Sequence, residues 1–590
     1  MCGILGAYSA RQPFATPPFP ADSLHVMRHR GPDAQGWYFD DHAVLGFRRL
    51  AILDLAGGGQ PLYSEDEQIV AVVNGEIYNH HALREELKER HRFRTRVDGE
   101  VLIHLYEEKG LDFVKELSGM FGFALYDRTK RRLILGRDRP GLKPLYYEQR
   151  DGVLRFASEL KPLVLGRTPK ISSEAVADYL RFGYIPAPLT IFDGIKKLAS
   201  GSILVIEKDG EPRIENYWKL QFDHDATKPD ASWRSGQWEE ELRETLRTAV
   251  HARLESEVPM GFLLSGGVDS ASVFALGAKA LEGREVQAFT IGFQGDPIDE
   301  TQAAGEVAHR YGATHRVMHL GRKDARTLDD VLYYVEEPVS TDALLPTASV
   351  FRAVAGAHVT TVLSGEGSDE LFAGYKKFAR TVQDGTAESL RPLERYLRHE
   401  EFVFSSSAER QALLGEDIAT DRFADLEREA EQLDPLSQML LFEQRLRLPD
   451  RINLRLDRTS MAHSIEARAP FMDHKVIEFA ARIPHSLRTG PKFNKYLLRR
   501  AMRNDLPPVV IEARKSPFHA PAAWFTNAAE TDTLLQPRAI ADAGMVKPEP
   551  VQALREKAAQ GDTMAQEKVF SLLVLHAWHR AFYRRLQNSH

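Results

Sequence analysis

The chain has 590 residues, too many for one hydrophobic core, so at least two domains are expected. Its 77 basic and 84 acidic side chains leave a formal net charge of -7, which gives no reason to expect a nucleic-acid partner. The start, MCGILGAY, lacks the pattern of a signal peptide and no run of about eighteen apolar residues occurs, so no membrane partner is indicated and a cytoplasmic location is predicted.

Short apolar strands separated by turn residues dominate the chain up to about Glu207. The predicted strands are VLGFRRLAILDL, QIVAVVNGEIY, FGFALYD, RLILGRD, PLYYE, LRFASE and GSILVIE, and the predicted helices are HHALREELKER and EVLIHLYEEKG. This pattern predicts a strand-rich α+β domain over residues 2–207. A linker is predicted over residues 208–238, because the stretch from Gln221 to Trp238 is polar and irregular.

Helices and strands alternate after the predicted linker. Their order is helix EEELRETLRTAVHARL, strand MGFLLS, helix SASVFALGAKAL, strand VQAFTIGF and helix ETQAAGEVAHRYG. Such alternation predicts a parallel sheet with crossover helices, so residues 239–590 are expected to form an α/β domain. Its C-terminal part is predicted to be rich in helices, because DPLSQMLLFEQRLRL and HKVIEFAARI have a helical period.

The only cysteine in the chain is Cys2. An intrachain disulfide and a zinc site built on several thiolates are therefore excluded. A lone cysteine is more often incidental than catalytic, but this one follows the initiator Met1. Removal of Met1 would put a thiol and a free α-amine on one residue, and an amine with a pKa of about 8 can act as the base for its own nucleophile. The position therefore favours a catalytic Cys2.

A glycine-rich loop, GFLLSGGVDS, joins a predicted strand to a predicted helix. At Gly266 and Gly267 the backbone N–H groups and the helix N-terminus would face an anion, and Ser265 and Ser270 would add hydroxyl donors. The loop lacks the GK[ST] ending of the Walker type. Asp269 beside a phosphate indicates a divalent cation between them, for which Mg²⁺ is the natural candidate. The alternative is a tight turn with Asp269 as a helix cap.

A second loop, in TTVLSGEGSDELFAGY, places Glu366, Asp369 and Glu370 just after another predicted strand. These carboxylates repel one another, and a metal ion or a cationic substrate group would relieve the repulsion. The alternative is a solvated acidic helix start. If both strands belong to one sheet, both loops reach the crevice at its carboxyl edge, where α/β folds bind ligands.

With these motifs in place, the chain resembles the glutamine-hydrolysing asparagine synthetases from Cys2 to about Trp524. The motifs that carry the resemblance, in the family's order, are MCGILG, MRHRGPD, RRLAILDL, NGEIYNH, LIHLYEEKG, FASELK, LLSGGVDS, LSGEGSDELFAGY, RTSMAHSIEARAPFMD and ARKSPF. The resemblance implies an N-terminal nucleophile glutaminase domain followed by an ATP-pyrophosphatase domain. It also implies that ammonia from glutamine amidates aspartate, activated by ATP with Mg²⁺. A homodimer is compatible with the sequence.

Carried over residue by residue, the resemblance implies a glutamine site. In it Cys2 attacks the side-chain amide, and Asn74 with the backbone of Gly75 forms the oxyanion hole. Arg49 would bind the α-carboxylate of glutamine. The implied glutamine-binding residues are Arg49, Leu50, Ala51, Ile52, Leu53, Asn74, Gly75, Glu76 and Asp98. Glu76 and Asp98 would bind the α-ammonium, although Asn74-Gly75 and Asp98-Gly99 are also typical of hairpin turns.

The resemblance implies an ATP site in the second domain. Its residues are Leu263, Ser265, Gly266, Gly267, Asp269, Ser270, Ile291, Ser364 and Gly365. Asp269 and Asp369 are the implied magnesium ligands. Glu366 matches a carboxylate that acts in acyl-adenylate formation, and Lys515 matches a lysine that neutralises charge on the transferring phosphoryl group.

One region departs from the family pattern. Where some asparagine synthetases have a threonine-rich stretch with an arginine, this chain has Leu344, Leu345 and Pro346. The alternative function is therefore the same chemistry on another carboxylate, in a peptide, polysaccharide or secondary-metabolite pathway. Ring-closing relatives tend to lose the nucleophile and silent homologues lose catalytic residues, whereas Cys2 is present here. Enzymes that pair this glutaminase domain with sugar or purine chemistry lack SGGVDS.

Overall fold

Two antiparallel sheets form the N-terminal part of the computed structural model, which describes residues 2–222, 236–293, 299–320, 328–383, 390–398, 400, 403–418, 421–489, 495–513 and 528–587. The strands are β1 (Cys2–Ser9), β2 (Ala34–Phe39), β3 (Ala43–Arg49), β4 (Leu62–Tyr63), β5 (Ile69–Ile77), β6 (Gly119–Asp127), β7 (Arg132–Arg137), β8 (Tyr146–Arg150), β9 (Val153–Ala157), β10 (Ile195–Lys197), β11 (Ser202–Ile206) and β12 (Arg213–Asn216). One sheet has the order β10-β8-β9-β1-β3-β2 and the other β12-β11-β7-β6-β5-β4.

The two sheets pack face to face, and helices cover the far side of each. Helices α1 (His80–Leu87) and α2 (Val101–Lys109) pack on the second sheet, whereas α3 (Leu160–Val164) and α4 (Ser173–Phe182) share a core with β1, β8 and β9 of the first. Strand β5 shows the layering, because its side chains alternate between two cores. Val70 and Val72 pack between the sheets, whereas Ala71 and Val73 pack with residues of α1 and α2. The predicted α+β class is confirmed.

A parallel sheet organises the second part of the chain. Its strands are β13 (Met260–Leu263), β14 (Gln287–Gly292), β15 (Thr314–His319), β16 (Thr361–Leu363) and β17 (Glu466–Arg468), in the order β15-β14-β13-β16-β17. All neighbouring strands run parallel. Because β13 and β16 are neighbours, the two predicted ligand loops leave the sheet side by side at its carboxyl edge.

Helices surround this sheet and form the C-terminal part. They are α5 (Gln237–His251), α6 (Val268–Ala280), α7 (Thr301–Arg310), α8 (Leu328–Val335), α9 (Leu344–Gly356), α10 (Ser368–Leu371), α11 (Lys376–Gln383), α12 (Pro392–Leu397), α13 (Ser407–Leu414), α14 (Ala424–Ala430), α15 (Pro435–Phe442), α16 (Asn453–Met461), α17 (His474–Arg482), α18 (His485–Thr489), α19 (Tyr496–Ala501), α20 (Pro508–Ile511), α21 (Ala528–Leu534), α22 (Pro537–Ala543), α23 (Pro548–Ala559), α24 (Thr563–Trp578) and α25 (Arg584–Gln587). A π-helix, Glu443–Ile452, joins α15 to α16. In the described ranges no helix has the length and apolar character needed to span a membrane.

Strand β12 lies within the stretch predicted as a linker. It pairs with β11, so the second sheet continues past Glu207. Helix α5 begins at Gln237, and residues 223–235 lie outside the described ranges. The domain boundaries at 207 and 239 stay predictions.

Candidate active sites

Cys2 begins β1 and is buried between the two antiparallel sheets. It is paired with Arg49 on β3, and its backbone N–H donates a 3.0 Å hydrogen bond to Asn74 Oδ1 on β5. Only 7% of Cys2 is exposed, and burial raises the pKa of its thiol. A thiol of raised pKa carries little thiolate at neutral pH, so it needs a base close by to act as a nucleophile.

Asn74 and Gly75 lie inside β5, opposite Gly122 and Phe121 of β6. The alternative of a hairpin turn at this dipeptide is therefore wrong. Gly75 has φ of +147°, and a Cβ there would lie 1.9 Å from the carbonyl oxygen of Met120. Glycine is required at this position, since any side chain would displace the neighbouring strand.

Two carboxylates, Glu76 and Asp98, are buried next to one another, and Glu76 is close enough to Cys2 to raise the pKa of its thiol. Burial, together with the neighbouring Glu466 and Asp98, raises the pKa of Glu76 well above its ordinary value, and burial raises the pKa of Asp98. Asp98 accepts a 2.5 Å hydrogen bond from the backbone of Ile77 and lies in a 3₁₀ turn, not in a hairpin. Burial makes the ionised form of these carboxylates unfavourable, and an ammonium group bound between them would stabilise that form.

The guanidinium of Arg49 holds the following loop in place. It donates to the carbonyl oxygens of Leu53 at 3.1 Å, Asp54 at 2.7 Å and Leu55 at 3.4 Å. Leu50 and Ile52 are buried, whereas Ala51 and Leu53 are partly exposed. The structure thus places the predicted stretch 49–53 beside the strand end that carries Cys2.

A cavity opens at the carboxyl edge of the parallel sheet, between the loops after β13 and β16. Of the predicted ATP and metal residues, those that line it are Leu263, Ser265, Gly267, Asp269, Ser270, Ile291, Ser364, Gly365 and Asp369; Gly266 does not. At Gly266 an added Cβ would lie 3.0 Å from Glu300 and Ala303, so this glycine makes room for α7. At Gly365 a Cβ would lie 2.5 Å from the backbone nitrogen of Ser270. Glycine therefore lets the two loops touch.

Lys495 also lines this cavity, and no motif in the sequence indicated it. Its ammonium contacts the carboxylates of both Asp269 and Asp369, the latter at 2.6 Å, and only 1% of its side chain is exposed. Ser368 Oγ also donates to Asp269, at 2.8 Å. The two predicted magnesium ligands thus converge on one cationic group, which fits a shared divalent cation as well.

The remaining carboxylates of the cavity have different partners. Glu366 is paired with Arg455 of α16 at 2.6 Å. Burial, and then the neighbouring Asp369, raise the pKa of Glu370 to about 7, and the hydroxyl of Tyr375 donates to it. Lys515 lies outside the described residues.

The departure from the family pattern lies at the start of α9. Leu344, Leu345 and Pro346 are buried and are not among the residues that line the cavity. Thr347 and Val350, further along the same helix, do line it. The apolar substitutions therefore pack in the core next to the cavity.

Two family models match the chain. One, described as "Glutamine amidotransferase domain", covers residues 1–218, and the other, "Asparagine synthase", covers residues 241–580. "Asparagine synthetase [glutamine-hydrolyzing] 1" of Bacillus subtilis is 30% identical, over 98% of this chain and 96% of its own length. "Asparagine synthetase B [glutamine-hydrolyzing]" of Escherichia coli is 34% identical, over 88% of this chain and 82% of its own length.

Proposed function

The chain belongs to the glutamine-hydrolysing asparagine synthetase family, and we propose that it converts L-aspartate, L-glutamine, ATP and water into L-asparagine, L-glutamate, AMP and diphosphate. The observation that carries this proposal is the presence of two chemically distinct sites in one chain. A buried cysteine lies against the strand that carries Asn74 and Gly75, and two converging aspartates line a cavity at the edge of a parallel sheet.

In the first site, Cys2 attacks the side-chain amide of glutamine. Its α-amine, freed by removal of Met1, takes the thiol proton and passes it to the departing ammonia. The side chain of Asn74 and the N–H of Gly75 stabilise the oxyanion of the tetrahedral intermediate. Water then hydrolyses the thioester to glutamate. The 3.0 Å contact between Cys2 N and Asn74 supports this arrangement, because it puts the base beside an oxyanion donor.

In the second site, ATP lies across the two touching loops. The aspartate side-chain carboxylate attacks the α-phosphorus and diphosphate leaves, and ammonia then displaces AMP from the acyl-adenylate. Asp269 and Asp369 would hold Mg²⁺, which when bound neutralises charge on phosphate oxygens. Lys495 supplies a fixed positive charge at the same place, and we assign Lys515 the role of a further cation on the transferring phosphoryl group.

Glu366 is the carboxylate that we expect to act on the acceptor substrate. We assign it to the adenylation and amination steps, where it handles a proton of the incoming amine. Its 2.6 Å pair with Arg455 orients it beside the ATP loop. A carboxylate oriented there is placed to accept that proton when ammonia attacks.

Diphosphate release tests the acceptor. Enzyme with ATP, Mg²⁺ and ammonium chloride is given a panel of carboxylic acids, and aspartate is expected to stimulate release and to yield asparagine. If another acid stimulates release and aspartate does not, the alternative acceptor replaces aspartate while the ligase chemistry stands. If no acid does so, the ligase assignment itself fails.

Two further assignments rest on the family alone. We propose that the enzyme acts in the cytoplasm and that it forms a homodimer. Fractionation of the source cells and light scattering of the purified protein test them separately.

A further inference from the structure

Two histidines and two glutamates that belong to neither site described above converge in the N-terminal domain. Glu65 lies between β4 and β5, His91 follows α1, and His104 and Glu107 lie one turn apart on α2. Each side chain offers one ring nitrogen or carboxylate oxygen, and these four atoms all lie within 4.8 Å of one another. Three separate segments of chain therefore bring metal-ligating atoms to one point.

Three of the four separations are close to those in a four-coordinate metal site, and the fourth is shorter. Glu107 Oε2 lies 3.4 Å from His91 Nδ1 and, at hydrogen-bond distance, 2.8 Å from His104 Nδ1. Glu65 Oε1 lies 3.6 Å from His91 Nδ1, and Glu65 Oε2 lies 3.7 Å from His104 Nδ1. Tetrahedral zinc with bonds of about 2.0 to 2.2 Å has ligand atoms about 3.3 to 3.6 Å apart. We propose that Glu65, His91, His104 and Glu107 form a binding site for a divalent transition metal, with Zn²⁺ as the fitting ion.

The ring nitrogens of the two histidines that would not bind the metal face carboxylates, as they do in many metal sites. Coordination through Nδ1 leaves His91 Nε2 as a donor to Glu108, 2.9 Å away. The opposite nitrogen of His104 faces the buried Glu100 at 3.9 Å. Glu65 is oriented by a 2.8 Å hydrogen bond from the backbone of Arg92. A carboxylate behind the histidine fixes its tautomer and strengthens it as a ligand.

The ligand types select the class of ion. Two imidazoles with two carboxylates suit Zn²⁺ and its neighbours, whereas Mg²⁺ and Ca²⁺ prefer oxygen ligands alone. The side chain of His104 is fully buried, but those of His91, Glu107 and Glu65 are 12%, 23% and 37% exposed. The ion therefore has a route in from solvent to a ligand held rigidly by the core.

The site would join the segment that follows α1 to helix α2. That segment, residues 88–97, leads directly into the turn Asp98–Glu100 beside the proposed glutamine pocket. An ion that binds only the folded chain stabilises it by an amount that grows with the logarithm of the ion concentration divided by its Kd. We therefore expect Zn²⁺ to raise the thermal midpoint of the N-terminal domain.

Zinc binding to the full-length protein tests the proposal. After treatment with a chelator, Zn²⁺ is titrated calorimetrically and in competition with a chromogenic chelator, and Co²⁺ is added separately to record its visible absorption. The wild type is expected to bind one equivalent more than His91→Ala and to show intense four-coordinate Co²⁺ bands. Glu108→Gln should weaken binding by about 10-fold to 100-fold, because it removes only the supporting carboxylate.

Matched control variants distinguish this site from other groups of the chain that could bind Zn²⁺. His81→Ala alters a second histidine–glutamate group, formed by His80, His81 and Glu255, and Cys2→Ala removes the thiol. Both should keep the equivalent that His91→Ala loses. If His91→Ala loses ammonia-dependent synthesis, which would indicate misfolding, Glu107→Gln takes its place. Equal stoichiometry and affinity in the wild type and the ligand variant would show an ion-pair cluster only, and equal binding of Mg²⁺ would overturn the assigned ion class.

Discussion

In the proposed mechanism the thiol of Cys2 takes part in glutamine hydrolysis and not in synthesis. Because the thiol would then serve only to release ammonia from glutamine, Cys2→Ala should abolish glutamine-dependent asparagine formation and leave ammonia-dependent formation largely intact. A chain extended before Cys2 should behave in the same way, since it lacks the free amine. Product formation with glutamine or ammonium chloride measures both. Full glutamine-dependent activity in the extended chain would rule out the amine as base.

Removal of a charged side chain at the proposed ATP site should lower synthesis without affecting glutamine hydrolysis. Glu366→Gln, Lys495→Ala and Lys515→Ala are each expected to lower ammonia-dependent synthesis by about 100-fold to 1,000-fold, because each removes a group to which we assign a part in stabilising the charge of the transition state. Glutamine hydrolysis should persist in all three. Lys557→Ala, at an exposed lysine of α23, is the control. A variant with near-normal synthesis would remove its residue from the mechanism.

Asp269 and Asp369 could be predicted from the sequence as site residues, whereas Lys495 could not. The aspartates stand in glycine-rich loops after apolar strands, a pattern that indicates a ligand site. Lys495 is one of two lysines in GPKFNKYLL, and a lysine in such a stretch is typical of a solvated surface. Only the folded chain brings its ammonium to the two carboxylates, across 226 residues in the case of Asp269.

At the scale of elements, the sequence pattern predicted strands such as β5, β6 and β7 but missed others, among them β1, β2, β15 and β17. In β5 the apolar side chains are large and β-branched, so the strand is evident from its own residues. In β1, CGILGAYS, small residues weaken the pattern, and the strand is defined by its pairing with β3 and β9. Strand β17 has three residues and exists because it extends the sheet beside β16.

Helix α24 carries a pH dependence that follows from its packing. It is anchored by hydrogen bonds from Tyr179 to Ser571 O and from Trp578 to Glu336 O. Burial lowers the pKa of His576 on this helix to about 4, and its Nε2 has no hydrogen-bond partner in the described part of the chain. The free energy of unfolding is therefore highest above pH 6.5, where His576 is neutral in the folded and the unfolded chain. It falls as the pH drops from 6.5 towards 4, because the unfolded chain binds the proton first.

The substitution His576→Leu should remove the loss of folding stability at low pH that comes from this histidine. The thermal midpoint of the wild type should fall between pH 7.5 and pH 5 by more than that of the variant, since protonation of a buried imidazole opposes folding by up to about 3 kcal/mol. His309→Leu, at an exposed histidine of α7, should follow the wild type. Parallel pH profiles for wild type and His576→Leu would show that the histidine is not the group responsible.

At the scale of the whole molecule, length and alternation predicted two domains, but nothing in the sequence predicted how they meet. Arg30 of the first domain is fully buried and makes two hydrogen bonds, of 2.8 and 3.0 Å, to Asp457 on α16 of the second. The same guanidinium donates at 3.1 Å to the carbonyl oxygen of Cys2. Pairs between residues 427 positions apart arise only from tertiary packing, which local pattern does not encode.

This geometry predicts that the second domain holds the nucleophile of the first in position. In Asp457→Asn the side chain keeps its shape but loses the charge that orients Arg30, so the backbone of Cys2 loses a rigid contact. Displacement of a reacting group by about 1 Å commonly lowers rates about 100-fold. We therefore expect kcat/KM for glutamine hydrolysis to fall by about 10-fold to 100-fold, and ammonia-dependent synthesis to fall less.

The matched control is Asp473→Asn, because Asp473 forms a comparable buried pair with Arg253, at 3.0 Å, within the second domain. Breaking either pair should lower the thermal midpoint, since loss of one partner of a buried ion pair destabilises a protein by about 3 to 5 kcal/mol. Only the Asp457 variant should lose glutamine hydrolysis disproportionately. If both variants lose stability alike and both hydrolyse glutamine at the wild-type rate, Arg30 joins the domains without positioning Cys2, and the coupling is mechanical support alone.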